Sequence, residues 1–208
     1  MKGTARVVRS ETGTQLWSGA YDEQLDALSS AAGQRRIARI IALAAEPYGP
    51  IFEMELERMR AQTAHEPATR DCMLRYYEYR RILGAAEHAK ALECFVLATV
   101  REPDNAGAWA GLSLLITDAW AHGFAGHGGR PASLERAQET ARRAMDIDGN
   151  NLHANLALAG TQYFSGADFG EVADRILAAW PENAEARAYI GAALVLSGET
   201  SRGSALVA

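Results

Sequence analysis

The sequence predicts an all-α protein made of helical hairpins, with a short β-hairpin at its N-terminus. Three motifs indicate this fold class, because each ends one helix just before an Ala-rich helix start. The motifs and the starts that follow them are Pro103-Asp104-Asn105 before Ala108, Gly149-Asn150-Asn151 before Ala154, and Pro181-Glu182-Asn183 before Ala186. Arrays of stacked helical hairpins usually bind other molecules and seldom catalyse reactions.

The first 22 residues differ from the rest of the chain. Residues 5–9 and 15–21 have the composition of short strands, and Gly13 between them can take the positive φ of a tight turn. An isolated two-stranded hairpin is marginally stable in water. We therefore interpret residues 1–22 as the edge of a truncated sheet that belongs to a larger domain.

Residues 23–66 are predicted to be a helical linker region. Leu28, Ile37 and Ile41 place apolar side chains along one face of a first helix, which ends at Pro47. A second helix is predicted over residues 51–61, with a charged and largely solvated face.

Residues 67–208 are predicted to contain the array. Its units are residues 67–103, 104–149 and 150–181, and a partial unit over residues 182–208. The predicted helices span residues 68–83, 86–101, 106–121, 133–147, 151–165, 168–179, 183–197 and 200–208. An insertion over residues 122–131 interrupts the second unit, since its four glycines and one proline exclude a helix.

The array resembles the tetratricopeptide family, whose hairpins repeat about every 34 residues. Small, aliphatic and aromatic residues recur at the positions that this pattern requires. They are Ala91, Phe95, Ala98 and Pro103 in the first hairpin, Trp109, Leu112, Ala137 and Ala144 in the second, Leu158, Ala159 and Pro181 in the third, and Ile190, Gly191 and Gly198 in the fourth. The resemblance implies a concave surface, lined by the first helix of each hairpin, that holds peptides.

Residues 12–22, followed by Arg35-Arg36-Ile37-Ala38, resemble a junction that recurs in bacterial proteins. At that junction a TolB-like α/β domain ends and a tetratricopeptide tract begins, as in class III adenylate cyclases and winged-helix transcriptional activators. The resemblance implies that residues 1–22 are the edge of a truncated TolB-like domain and that the chain is a regulatory or partner-binding tail. The output domain would precede residue 1.

Composition and charge exclude several classes of function. The net charge is −5, and no cluster of Lys and Arg gives the basic surface that duplex DNA binding needs. The longest uninterrupted apolar run, residues 40–45, is far shorter than the ~20 residues that span a bilayer. We therefore expect no direct nucleic-acid binding and no membrane span in this segment. A cytoplasmic location is expected, and the periplasm is the alternative if the parent protein is a membrane-anchored activator.

No catalytic residue, metal site or cofactor is predicted. The glycines of the insertion lack the Gly-Lys-Ser/Thr ending of a phosphate-binding loop, and the two histidines there have no third metal ligand nearby. We interpret residues 75–81, which interleave aromatic and basic side chains, as core residues with arginines that reach solvent. Cys72 and Cys94 are interpreted as small buried hydrophobes, and a disulfide in an oxidising compartment is the alternative.

Two surfaces are candidates for binding. By helical register, the residues that face the concave groove are Leu114, Thr117, Asp118, His153, Leu156, Tyr163, Phe164, Glu185, Tyr189 and Ala192. An alternative ligand pocket near the insertion would be lined by Trp120, His122, Phe124 and His127. For Tyr163 and Phe164, packing against the next hairpin is the competing interpretation.

The sequence therefore favours a non-catalytic interaction or regulatory module of a bacterial signalling or transcription regulator, with a protein or peptide partner. The alternatives are a small-ligand sensing domain and the regulatory tail of an adenylate cyclase. Self-association through the C-terminal face or the edge of the N-terminal hairpin, giving a homo-oligomer, is a further expectation.

Overall fold

The computed structural model of the chain describes residues 2–8, 13, 15–22, 30, 33–34, 47–61, 67–129 and 131–207. The chain divides into two compact units, Met1–His65 and Glu66–Ala208. Most of the described residues are helical. The helix predicted to end at Pro47 lies almost wholly outside the described residues.

The first unit contains two strands and one helix in its described part. Strand β1, Lys2–Val8, pairs antiparallel with β2, Gln15–Asp22, and the register is irregular between Val7 and Val8. Gly13, between the strands, has φ +69°. Helix α1, Pro50–Ala61, packs against β2 and buries Phe52 and Leu56.

The second unit consists of helical hairpins that pack in series. Its helices are α2 (Thr69–Ile82), α3 (Ala85–Arg101), α4 (Ala106–His122), α5 (Leu134–Ile147), α6 (Leu152–Ser165), α7 (Gly170–Ala179), α8 (Ala184–Leu196) and α9 (Thr200–Val207). A short 3-10 turn, His127–Gly129, lies in the insertion between α4 and α5. None of the helices in the described part of the chain is long and apolar enough to cross a membrane.

Asparagine side chains start the first helix of three successive hairpins. Asn105 caps α4 by accepting hydrogen bonds from the backbone N–H groups of Gly107 and Ala108. Asn151 accepts from Ala154 at the start of α6, and Asn183 accepts from the backbone at the start of α8. Such caps satisfy backbone donors that have no partner inside the helix, so the Asn in each motif is a local cause of the helix start.

The helices pair in a regular order. The first helices α2, α4, α6 and α8 each pack against the second helix of their own hairpin, and α2, α4 and α6 also pack against the first helix of the next hairpin. Among the described residues, large apolar clusters lie around Tyr79, Phe95 and Leu115 and around Ile176 and Ile190, and a smaller one contains Ala110, Ala144 and Ala154.

Cys72 and Cys94 form a disulfide that joins α2 to α3 inside the first hairpin. Their Cα atoms are 5.5 Å apart, which is within the range that a disulfide spans. Both side chains are buried. The favoured interpretation of two unbonded cysteines is therefore wrong, because the two helices pair along the faces on which the cysteines lie. Sequence spacing did not show that these two faces meet.

Candidate functional site

A polar network joins the first, third and fourth hairpins. The Tyr77 hydroxyl on α2 donates a hydrogen bond to Glu185 Oε2 on α8, over 2.8 Å. His153 Nε2 on α6 lies 2.8 Å from the same hydroxyl and 3.3 Å from Glu185 Oε2. Because Tyr77 gives its only hydroxyl proton to Glu185, His153 Nε2 is the donor towards Tyr77. Three side chains from three hairpins thus form one network, which we call the tyrosine–histidine–glutamate network.

A second polar contact lies beside this network. Arg80 on α2 forms an ion pair with Asp118 on α4, with 3.5 Å between Arg80 Nη1 and Asp118 Oδ2. The Arg80 side chain is 36% exposed and that of Asp118 is 15% exposed. The pair therefore has one face in contact with solvent, where an approaching partner can reach the guanidinium.

Burial and neighbouring charges give the two acidic groups opposite pKa shifts. Burial raises the pKa of Asp118 above its usual value, although Arg80 works against that rise. Burial acts in the same direction on Glu185, but hydrogen bonds from His153 and Tyr77 outweigh it and hold the pKa of that carboxyl below its usual value. The ionised form of Glu185 is therefore stabilised by its surroundings, whereas the ionised form of Asp118 is destabilised by burial.

Tyrosines surround the two polar contacts. Burial, with the nearby Asp118 carboxylate as a further cause, raises the pKa of Tyr76 and of Tyr189. Tyr189 also lies against α6, since a Cβ built on Gly160 would lie only 2.2 Å from the Tyr189 hydroxyl oxygen. The arrangement can recognise charged and hydrogen-bonding groups. We call the whole set, from α2, α4, α6 and α8, the tyrosine-rich centre.

The structure divides the residues that were predicted to line the groove. Asp118, His153, Glu185 and Tyr189 are brought together in the tyrosine-rich centre. Leu114, Thr117 and Leu156 are buried in the hairpin interior, so the expectation that they face an open groove is wrong. Their helices are flanked by neighbours on more than one side, and these positions therefore pack inwards.

The remaining groove residues lie nearer one edge of the array or on its surface. Phe164 contacts Trp120 of the preceding hairpin, with 5.7 Å between ring centroids. Tyr163 packs edge-on against Phe169, the residue that precedes α7. Ala192 is exposed. Tyr163 thus packs within its own hairpin, and Phe164 packs on the preceding hairpin while it keeps an exposed face. Neither ring contact is the packing on the next hairpin that the competing interpretation predicted.

The alternative pocket residues belong to two separate clusters. Trp120 contacts Phe164 edge-on, whereas Phe124 packs against His88 and Tyr79 of the first hairpin. His122 contacts Phe124 at 5.5 Å between ring centroids, and His127 is exposed. These ring contacts direct Trp120 and Phe124 to different neighbours, and the alternative pocket stays a prediction. An open cleft of about 600 Å³ lies elsewhere, at the turns before α4 and α6.

Sequence reasoning missed the contribution of α2 to the site. Tyr77 and Arg80 were interpreted as part of a core helix with solvated arginines, yet each reaches a carboxylate on another hairpin. The one available signal was their spacing, which places positions 77 and 80 on adjacent turns of the same helix face. That spacing does not identify the partner residues.

The described residues contain no group of three or more His, Cys, Asp or Glu side chains placed to hold a metal ion. No protein-family model matches the chain, and no curated protein matches it significantly. The residues of the site are thus interpreted from their geometry alone.

Proposed function

We propose that residues 67–207 form a tetratricopeptide-like array that serves as a non-catalytic interaction module of a bacterial signalling or transcription regulator. The partner, a protein or peptide, would bind on the surface formed by the first helices of the hairpins. In this proposal residues 1–22 form the edge of a truncated TolB-like domain, and the resemblance at the junction supports that assignment.

One observation carries the proposal. The first helices of all four hairpins in the described part of the second unit send polar side chains to the tyrosine-rich centre. These side chains are Tyr77 and Arg80 from α2, Asp118 from α4, His153 from α6, and Glu185 and Tyr189 from α8. A surface that collects donors and acceptors from each repeat suits recognition of an extended or helical partner.

Arg80 is the residue through which a partner would engage this surface. Its guanidinium is partly exposed and is held by Asp118 at only one nitrogen in the ion pair, which leaves further N–H donors. A carboxylate or a backbone carbonyl of the partner would accept from them.

The disulfide supports the periplasmic alternative for the location of this segment. Disulfides persist in oxidising compartments and are rare where thiols are kept reduced. Cys72 and Cys94 are bonded in the first hairpin. We therefore favour the version of the proposal in which the parent regulator is membrane-anchored and this segment lies outside the cytoplasm.

Affinity capture with matched variants tests the proposed function. The wild-type chain, Arg80→Ala and Arg142→Ala would each be used to capture proteins from source cells, with quantification by mass spectrometry. Arg142 is exposed on α5, a second helix, and serves as the control. We expect a protein that wild type and Arg142→Ala enrich equally and that Arg80→Ala enriches about tenfold less, since a charge-assisted hydrogen bond contributes about 1.5–3 kcal/mol. Equal capture by all three proteins, or no captured protein, would contradict the proposal.

A further inference from the structure

Exposed apolar side chains occur at the C-terminal end of every first helix in the second unit. Trp120 at the end of α4 is 45% exposed, and Leu196 at the end of α8 is 73% exposed. We call the set the apolar edge; it consists of Ile82, Leu83, Trp120, Phe164, Val195 and Leu196. Large apolar side chains that are exposed together, and not singly, mark interaction surfaces.

Contacts between the first helices align these ends along one side of the array. Arg80 meets Asp118 near the ends of α2 and α4, and Trp120 meets Phe164 at the ends of α4 and α6. Gly160 meets Tyr189 between α6 and α8. Each contact joins similar levels of two helices that run in the same direction, so the helix ends that carry the six apolar side chains follow one another along the array.

Leu83 is an outlier whose conformation points to a function for this edge. It ends α2 with φ 53° and ψ 33°, the left-handed conformation, and is 51% exposed. The corresponding cap residues of α4 and α6 are Gly123 and Gly166, which adopt this conformation without a steric penalty. A leucine there is both strained and exposed, and such strain is characteristic of functional positions.

Charge and length together indicate what covers the apolar edge. Residues 66–208 contain 18 acidic and 13 basic side chains, so this unit carries the entire net charge of −5. Long-range repulsion therefore disfavours a second copy of the unit and an anionic lipid surface, and it favours a cationic partner.

We propose that the apolar edge binds an amphipathic helix of a partner protein, with an apolar stripe on one face and lysines or arginines beside it. Neighbouring helix axes lie about 8–10 Å apart, so four helices present a row of about 24–30 Å. A helix of about 16–20 residues has this length, at 1.5 Å per residue. The inference rests on the proposed function and names the class of partner and the surface that holds it.

Fluorescence anisotropy with a defined probe tests the proposal. The probe is a labelled helical peptide of about 18 residues, made of Leu and Lys with Leu at every third or fourth position. Its counterpart has Glu in place of each Lys. The proteins are wild type, Trp120→Ser, Leu196→Ser and Val100→Ser, all at ~0.15 M salt. Val100 is the matched control, because it is 76% exposed on α3 and lies outside the apolar edge.

We expect the basic peptide to bind wild type and Val100→Ser equally, and Trp120→Ser and Leu196→Ser at least about tenfold more weakly, as loss of an anchor side chain predicts. The acidic peptide should not bind. The proposal is overturned if neither peptide binds, if both bind equally, or if Val100→Ser weakens binding as much as the edge variants. It is also overturned if the edge variants abolish self-association or binding to phosphatidylcholine vesicles while the peptide fails to compete.

Leu83→Gly separates a binding role from a structural one. Glycine adopts the left-handed conformation without strain, so the melting temperature of the Leu83→Gly protein should be at least that of the wild type. Its affinity for the basic peptide should nevertheless fall, since an anchor side chain is lost. Unchanged peptide affinity would contradict the proposal.

The two proposals can fail separately. If the captured partner depends on Arg80 but not on Trp120 or Leu196, the proposed function stands and the apolar edge is excluded as its docking site. If the edge variants alone abolish peptide binding and nothing depends on Arg80, the apolar edge stands and the tyrosine-rich centre is excluded.

Discussion

Close packing at single residues holds the first two hairpins together. Gly111 on α4 faces Phe95 on α3, and a Cβ on that glycine would lie 2.2 Å from Phe95 Cε1. Both residues are buried. The absent side chain thus lets the aromatic ring of one hairpin lie directly against the backbone of the next.

Substitution of Gly111 by Ala should destabilise the array. Helix propensity alone favours Ala by about 1 kcal/mol, but the clash with the buried ring forces a shift that costs about 1–3 kcal/mol. The net expectation is a lower free energy of unfolding, measured by urea denaturation. Gly149→Ala is the control, since its Cβ would meet nothing closer than 3.7 Å. A Gly111→Ala protein as stable as the wild type would show that Phe95 moves freely.

At the level of the elements, the helices were predictable because their ends depend on residues close to them in the sequence. The predicted helices of the array agree with the observed ones to within two residues at each described end. The asparagine of each stop motif accepts backbone hydrogen bonds two or three residues ahead, as at Asn105. An interaction of that range can be inferred from sequence, whereas the pairing of two helix faces cannot. This is why the disulfide between Cys72 and Cys94 was not favoured.

The disulfide should contribute to the stability of the first hairpin. It closes a loop with a sequence separation of 22, for which loss of entropy in the unfolded chain predicts about 3 kcal/mol. We expect Cys72→Ala/Cys94→Ala to lower the free energy of unfolding by about this amount, measured by urea denaturation of the oxidised protein and of the variant. Thiol labelling of the denatured protein, isolated without reductant, should detect no free cysteine. Two labelled thiols would contradict the disulfide.

At the level of the whole molecule, the site was only partly predictable. Helical register assigned Asp118, His153, Glu185 and Tyr189 to one groove, and the structure brings these four side chains together in the tyrosine-rich centre. Tyr77 and Arg80 were missed, since their partners are 108 and 38 residues away along the chain. The side chains of the tyrosine-rich centre also contact one another, which helical register alone does not reveal.

The two acidic groups of the centre should give the molecule opposing responses to acid. The pKa of Glu185 is below its usual value, so its contribution to stability is present above about pH 4.3 and is lost as the pH falls through the folded-state pKa. The pKa of Asp118 is raised, so its contribution is present below about pH 3.9 and is lost as the pH rises through the folded-state pKa.

Glu185→Gln should therefore lose less stability than wild type between neutral and acidic pH, and Asp118→Asn should lose more. The measurement is the free energy of unfolding of the three proteins at about pH 7 and pH 4. Over this range the Glu185 and Asp118 carboxyl groups begin to take up protons. Changes of the same sign in both variants would contradict the assigned directions.

The hydrogen bond between Tyr77 and Glu185 bears on how the array unfolds. In a stack whose hairpins contact only their neighbours, the terminal units fray independently and unfolding spreads along the chain. Here the first hairpin is tied directly to the fourth. Loosening of α8 therefore removes a partner from α2, and the cost of opening one end is shared by the other. The two ends of the array are therefore energetically coupled, so the hairpins should unfold more cooperatively than those of a stack whose terminal units fray independently.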